Sequence, residues 1–200
     1  APVRLSRKNL EASGGLVSAV LINAGNANCA TRTGDKVALE TTRGLAKTLG
    51  MKVNHVLPAS TGVIGVELNP NLILKALPKL TESLRMDAFE QVSRAIMTTD
   101  TVPKTATAEV SAGGGVIRIA GITKGAGMIM PNMATTLAFI MTDAKIGAAG
   151  LQKMVRQGAD ASFNCMSIDG DTSTNDTLLV MANGASGVAM AAKTQDLFAQ

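Results

Sequence analysis

Between Lys124 and Asp143 no side chain carries a charge, and that run, GAGMIMPNMATTLAFIMT at positions 125–142, constrains the fold more than any other feature. A stretch of this kind lies where water does not reach. It just attains the length of a membrane span, but Pro131, Asn132 and two glycines near its start would leave backbone polar groups unsatisfied in lipid, and its purely apolar part is short. The run is therefore expected to be a buried strand or helix of a globular protein, with no membrane partner.

The rest of the chain supplies what such an element packs against. Of 200 residues, 46% are hydrophobic and 17% charged, enough to bury a core. Aromatics are only 2%, with neither Trp nor Tyr, so the core is built from Ala, Val, Ile, Leu and the 11 Met residues. Few aromatics also argue against a nucleic-acid partner, because single-strand binders stack bases on aromatic platforms. The net charge of +4 is spread without a basic run, which suits anionic small molecules better than a phosphate backbone. Cys29 and Cys165 form neither a metal-type spacing nor a disulfide framework, as in a reducing cytosol. The opening APVRLSRKNL is polar and mixed, unlike a secretory signal, and it lacks an initiator Met. A cytoplasmic location is expected.

Strand-like and helix-like pieces alternate without a linker. Residues 16–25 (LVSAVLINAG) read as a strand entering a turn. Residues 35–50 read as a helix with Asp35 as N-cap, Val37, Leu45 and Leu49 on its apolar face, and Gly50 closing it. Residues 55–65 read as an apolar strand breaking into a glycine loop, and Asn69-Pro70 as a helix start. Asp87 and Glu90 have capping-box spacing ahead of a helix over 87–97. A strand between glycine turns is expected within 113–128, a helix over 150–159, two strands flanking DGDTSTND (169–176), and a helical tail after Ser186. The mixture points to a layered α/β or α+β fold.

Candidate chemistry is sparse. His55 is the only histidine, so histidine metal clusters are impossible, and its ordinary role is a surface or cap residue. DGDTSTND, with acids at 169, 171 and 176, superficially resembles a calcium loop, but its sixth position is Thr174 and its twelfth Val180, so a self-satisfying set of Asx and Ser/Thr turns is the reading. No metal site is expected. The loops SAGGGV and KGAGM match neither phosphate-binding fingerprint, though Lys124 offers a point charge to a carboxylate. Thr135 has two readings. One is a helix N-cap, since Asn132, Thr135 and Thr136 precede apolar residues. The other is a nucleophile activated by its own α-amine after the preceding peptide bond is cut, which needs no histidine.

The motifs KGAGMIMPNMAT, ASTGVIG, TTDTVPK and FNCMSIDGDTSTNDT together closely resemble the glutamate N-acetyltransferase/ornithine acetyltransferase family of arginine biosynthesis, along essentially the whole chain. The resemblance implies an α/β sandwich with a mechanism of the N-terminal-nucleophile type. It implies a precursor that cuts itself between Ala134 and Thr135, so that 1–134 is the α-chain portion and 135–200 the start of the β-chain portion of one acetyltransferase domain. Thr135 would then be the nucleophile, carrying acetyl from N-acetylornithine to glutamate in two half-reactions. Thr61 and Gly62 match the oxyanion-hole pair, and Thr101, Lys124 and Thr135 match substrate-contacting positions. No cofactor is implied; acetyl-CoA stands open as a second acetyl donor, and the two pieces are expected to assemble as α2β2. Family members extend beyond both ends of this chain. Two alternatives stay open: an N-terminal-threonine amidase or aminopeptidase, and an inert truncated piece.

Overall fold

The computed structural model describes residues 1–129, 136–171 and 173–189. Ala134 and Thr135, and residues 190–200 of the expected helical tail, lie outside the described residues; its first residues, 186–189, form a turn and an isolated bridge to Lys145 rather than helix. The chain divides into two compact units, Ala1–Thr98 and Thr99–Gln200.

The first unit is built on a strand–helix–strand repeat. Strand β1 (Ala19–Asn26) and strand β2 (Val56–Val63) pair in parallel from Ala19↔Val56 to Asn26↔Val63. A parallel pair requires a crossover, here helix α2 (Gly34–Thr48). Leu21, Leu45, Ala46, Val56 and Leu77 are buried together, the last from helix α3 (Pro70–Glu82). Asn69 caps α3 as expected: its side chain accepts from the Asn71 N–H at 3.0 Å. Gly50 takes φ 65 just past α2, as a closing glycine does.

Two expected caps do not form. The N-cap of α2 is Thr33, and Asp35 sits in the first turn, where Arg4 holds its carboxylate at 2.7 Å. The capping box at 87–90 fails because both acids are drawn to arginines: Asp87 to Arg85 at 2.8 Å and Glu90 to Arg94 at 2.7 Å. Helix α4 (Phe89–Ala95) follows Ala88 with no side-chain cap. Helix α1 (Pro2–Ser13) is not expected from the sequence, and its buried residues are Pro2 and Asn9. It is anchored by polarity, with buried Asn9 donating to the carbonyls of Val56 at 2.8 Å and Val53 at 3.3 Å. His55 ends a short 3-10 turn, Val53–His55, half-buried, in keeping with a cap or surface residue.

The second unit holds a sheet ordered β3 (Lys104–Ala112), β4 (Gly115–Lys124), β5 (Leu137–Thr142), β6 (Thr177–Ala182). The first three are antiparallel neighbours; β5 and β6 are parallel, joined through helix α5 (Ala148–Ala161). Gly113 and Gly114, at φ 58 and 81, make the two-residue β3–β4 turn. The uncharged run therefore delivers a strand: Leu137, Ala138 and Phe139 of β5 are buried. The apolar residues that a helix cap at Thr135 would precede are strand instead, so the cap reading loses its helix. Of the two strands expected around DGDTSTND only β6 forms, since 163–165 is a 3-10 turn and Ile168 makes an isolated bridge to Ile129. Among the described residues, no helix is long and apolar enough to cross a membrane.

Candidate active site

Thr61 and Gly62 end the buried part of β2, and Thr61 is 7% exposed. Gly62 stands opposite Gly25 in the β1–β2 register. It has φ 124, and a Cβ there would lie 2.3 Å from the Gly25 carbonyl carbon and 2.6 Å from the Asn26 nitrogen. Only glycine fits, because the obstructing atoms are backbone. A cluster of asparagines braces this end of the pair: Asn23 donates to the Asn26 carbonyl at 2.8 Å, Asn26 to the Val66 carbonyl at 3.0 Å, and Asn28 to the Gly34 carbonyl at 3.0 Å. None of these asparagines stands out as a motif; their recurrence at 23, 26 and 28, through the end of β1 and just past it, is the available signal.

In the second unit Lys124 is the last residue of β4 and is 2% exposed. Burial pushes its pKa below the ordinary lysine value. The carboxylates of Asp100 and Asp176 oppose that shift, and the neighbouring Lys104 adds to it. Asp100 ties this corner together. Its side chain is fully buried, it accepts the Gly125 N–H at 2.8 Å, and it pairs with Lys104. Thr101, which follows Asp100 in the chain, is exposed. Thr101 and Lys124 are thus linked through Asp100 and Gly125, an aspartate that the sequence reading left without a role.

The strands then carry the corner across the sheet. Lys124 stands opposite Leu137 on β5, and Leu137 opposite Thr177 on β6. Thr123 Oγ1 donates to the Leu137 carbonyl at 3.2 Å. Ahead of Leu137, buried Thr136 donates its N–H to Asp176 Oδ1 at 2.7 Å and accepts from the Thr177 N–H at 2.9 Å. The acid loop departs here from its expected self-sufficiency. Local turns are present, with the Asn175 N–H donating to Ser173 Oγ at 3.2 Å and the Asp171 N–H to Asp169 Oδ1 at 3.4 Å. Yet Asp169 Oδ2 also takes the Met128 N–H at 2.9 Å, so Asp169 and Asp176 reach the residues on either side of 130–135. Among the described residues, no three His, Cys, Asp or Glu side chains gather as a metal ion requires.

Fold and site define a mixed α/β protein whose second unit sets a buried lysine beside two aspartates at threonine-bearing strand ends. The chain belongs to the ArgJ family, which it matches over residues 1–200. It is similar to the arginine biosynthesis bifunctional protein ArgJ of Geobacter sulfurreducens, 47% identical over 188 residues covering 94% of this chain and 47% of that protein. The protein of the same name from Rhizobium meliloti is 44% identical over 197 residues, covering 98% of this chain and 47% of the relative. The chain thus spans about half the length of these curated relatives. Among solved structures it resembles the crystal structure of arginine biosynthesis bifunctional protein ArgJ from Bacillus halodurans, with TM-score 0.59 and 30% identity, covering 66% of this chain and 70% of that one. That likeness agrees with the α/β class expected from the sequence.

Proposed function

We propose that this chain is part of an acetyltransferase that moves acetyl from N-acetylornithine to glutamate through an acetyl-Thr135 intermediate. The observation that carries the reading is the family match along all 200 residues, together with similarity to arginine biosynthesis bifunctional proteins. The chemistry is self-consistent. In maturation the Thr135 hydroxyl attacks the Ala134 carbonyl, the peptide nitrogen leaves as an amine, and water hydrolyses the resulting ester. The free α-amine, with a reference pKa near 8, then takes the proton of its own hydroxyl as that oxygen attacks the acetyl carbonyl. Ornithine departs with the proton, and the glutamate amine removes acetyl in the second half-reaction.

The tetrahedral oxyanion needs donors, and each is worth roughly 3–4 kcal/mol. The Thr61 hydroxyl and the Gly62 N–H are our assignment for that pair. The demand for glycine at 62 supports it, because no side chain crowds that amide. Lys124 is assigned to the substrate α-carboxylate, with Thr101 as a further substrate contact; a buried ammonium binds an anion more strongly than an exposed one. Processing into 1–134 and a β piece beginning at 135, assembly as α2β2, a cytoplasmic location and use of acetyl-CoA as a donor belong to the same proposal.

The test is an intact-mass measurement and an acetyl-transfer assay on the full-length protein. Wild type should appear as two pieces cut before Thr135 and should acetylate glutamate from N-acetylornithine. Thr135→Ala should remain one piece and be inactive. An active Thr135→Ala enzyme would refute the nucleophile assignment, and acetate release without need of glutamate would favour the amidase reading.

A further inference from the structure

We propose that Asp176 is a positioning residue for the nucleophile, clasping Thr136 so that the neighbouring residue 135 is presented from a fixed backbone. The proposal rests on the reading of Thr135 as nucleophile. A residue at a newly cut chain end is free to fray unless the backbone beside it is tied down. Here the tie is made at two points by two consecutive residues. The Thr177 N–H donates to the Thr136 carbonyl at 2.9 Å, and Asp176 Oδ1 accepts the Thr136 N–H at 2.7 Å.

The side chain does what the ladder does not. The β5–β6 pairing begins at Leu137↔Thr177, so the Thr136 N–H lies one residue outside the register. Thr136 is only 5% exposed, which denies that N–H an easy route to water. A carboxylate satisfies it with a charge-assisted bond, stronger than a neutral one. The contact spans 40 residues of sequence, so it is a product of the fold rather than a local turn.

Asp176 also belongs electrostatically to the corner, since its charge favours the ammonium form of Lys124. Its geometric role and its charge are separable by substitution. Asparagine keeps an oxygen that can accept the Thr136 N–H but removes the charge; alanine removes both.

In full-length protein, Asp176→Ala should lower both the self-cleavage rate and the kcat of whatever matures by roughly ten- to hundredfold, the scale of misplaced reacting groups. The KM for glutamate should change far less. Asp176→Asn should recover most of what Asp176→Ala loses. Wild-type cleavage and kcat in Asp176→Ala would overturn the proposal. So would an Asp176→Asn enzyme as damaged as the alanine variant, which would make the charge, not the clasp, the operative feature. Should the variants not fold, hydrogen exchange at the Thr136 amide of the mature wild-type enzyme decides: protection comparable to the β5 amides is expected, and exchange at the rate of an unstructured peptide overturns it. Failure of the underlying reading is seen elsewhere, in a Thr135→Ala protein that still transfers acetyl.

Discussion

Replacing Gly62 by alanine tests how β2 presents its end. At φ 124 an L-residue is strained by about 1–2 kcal/mol, the cost of a left-handed backbone. The added Cβ meets the Gly25 carbonyl carbon at 2.3 Å, its oxygen at 2.5 Å and the Asn26 nitrogen at 2.6 Å. These atoms belong to β1 and cannot rotate away, so overpacking adds about 1–3 kcal/mol. The expected total is about 2–5 kcal/mol. Gly25→Ala is the internal control. It faces Gly62 in the register and has φ 108, but nothing lies within 4 Å of its Cβ, so it should cost only the strain of about 1–2 kcal/mol. Urea unfolding of the two full-length variants, compared at unchanged m-value, isolates the clash. Destabilisation of Gly62→Ala no greater than that of Gly25→Ala would refute the close-approach argument. Gly62→Ala should also lose acetyl transfer beyond its loss of folded protein, because relieving the clash moves the proposed oxyanion donor.

The remaining expectations are smaller. The folded Lys124 binds its proton less tightly than the unfolded lysine, so its contribution to stability rises with pH between its lowered pKa and the ordinary lysine value. Lys124→Met should lack that rise, so the stability difference between wild type and variant should climb from about pH 8 to 10.5; parallel curves for the two proteins would contradict the burial argument. Asn69→Ala should cost about 0.5–1 kcal/mol by removing the acceptor of the Asn71 N–H at the start of α3, with activity unchanged; denaturant midpoints and the acetyl-transfer assay check this.

How much of this was legible in the residues depended on whether the cause was local. Strands β1 and β2, the start of helix α3 at Asn69-Pro70, and helix α5 could be read from runs of apolar residues and from helix-start chemistry. Strand β3 could not: most of it is exposed at the sheet edge, so nothing forces apolar alternation on it. Helix α1 was hidden for a related reason, since a polar residue, Asn9, anchors it. The caps at Asp35 and Asp87 misled because an acid near a helix start has more than one partner within reach, and arginines took both.

The sequence by itself determined the family, through long motifs in a set order, and with it the candidate residues Thr61, Gly62, Thr101, Lys124, Ala134 and Thr135. It also pointed to a buried element within the run after Lys124, found at Leu137–Phe139, because uncharged side chains leave water wherever the chain permits. Only the tertiary structure decided which polar groups meet. Asp176 lies 40 residues from Thr136 and Asp169 lies 41 from Met128, and each had local turns open to it in sequence. A carboxylate takes whichever donor the fold desolvates beside it, and that donor is chosen by strand register, which no local pattern of residues specifies.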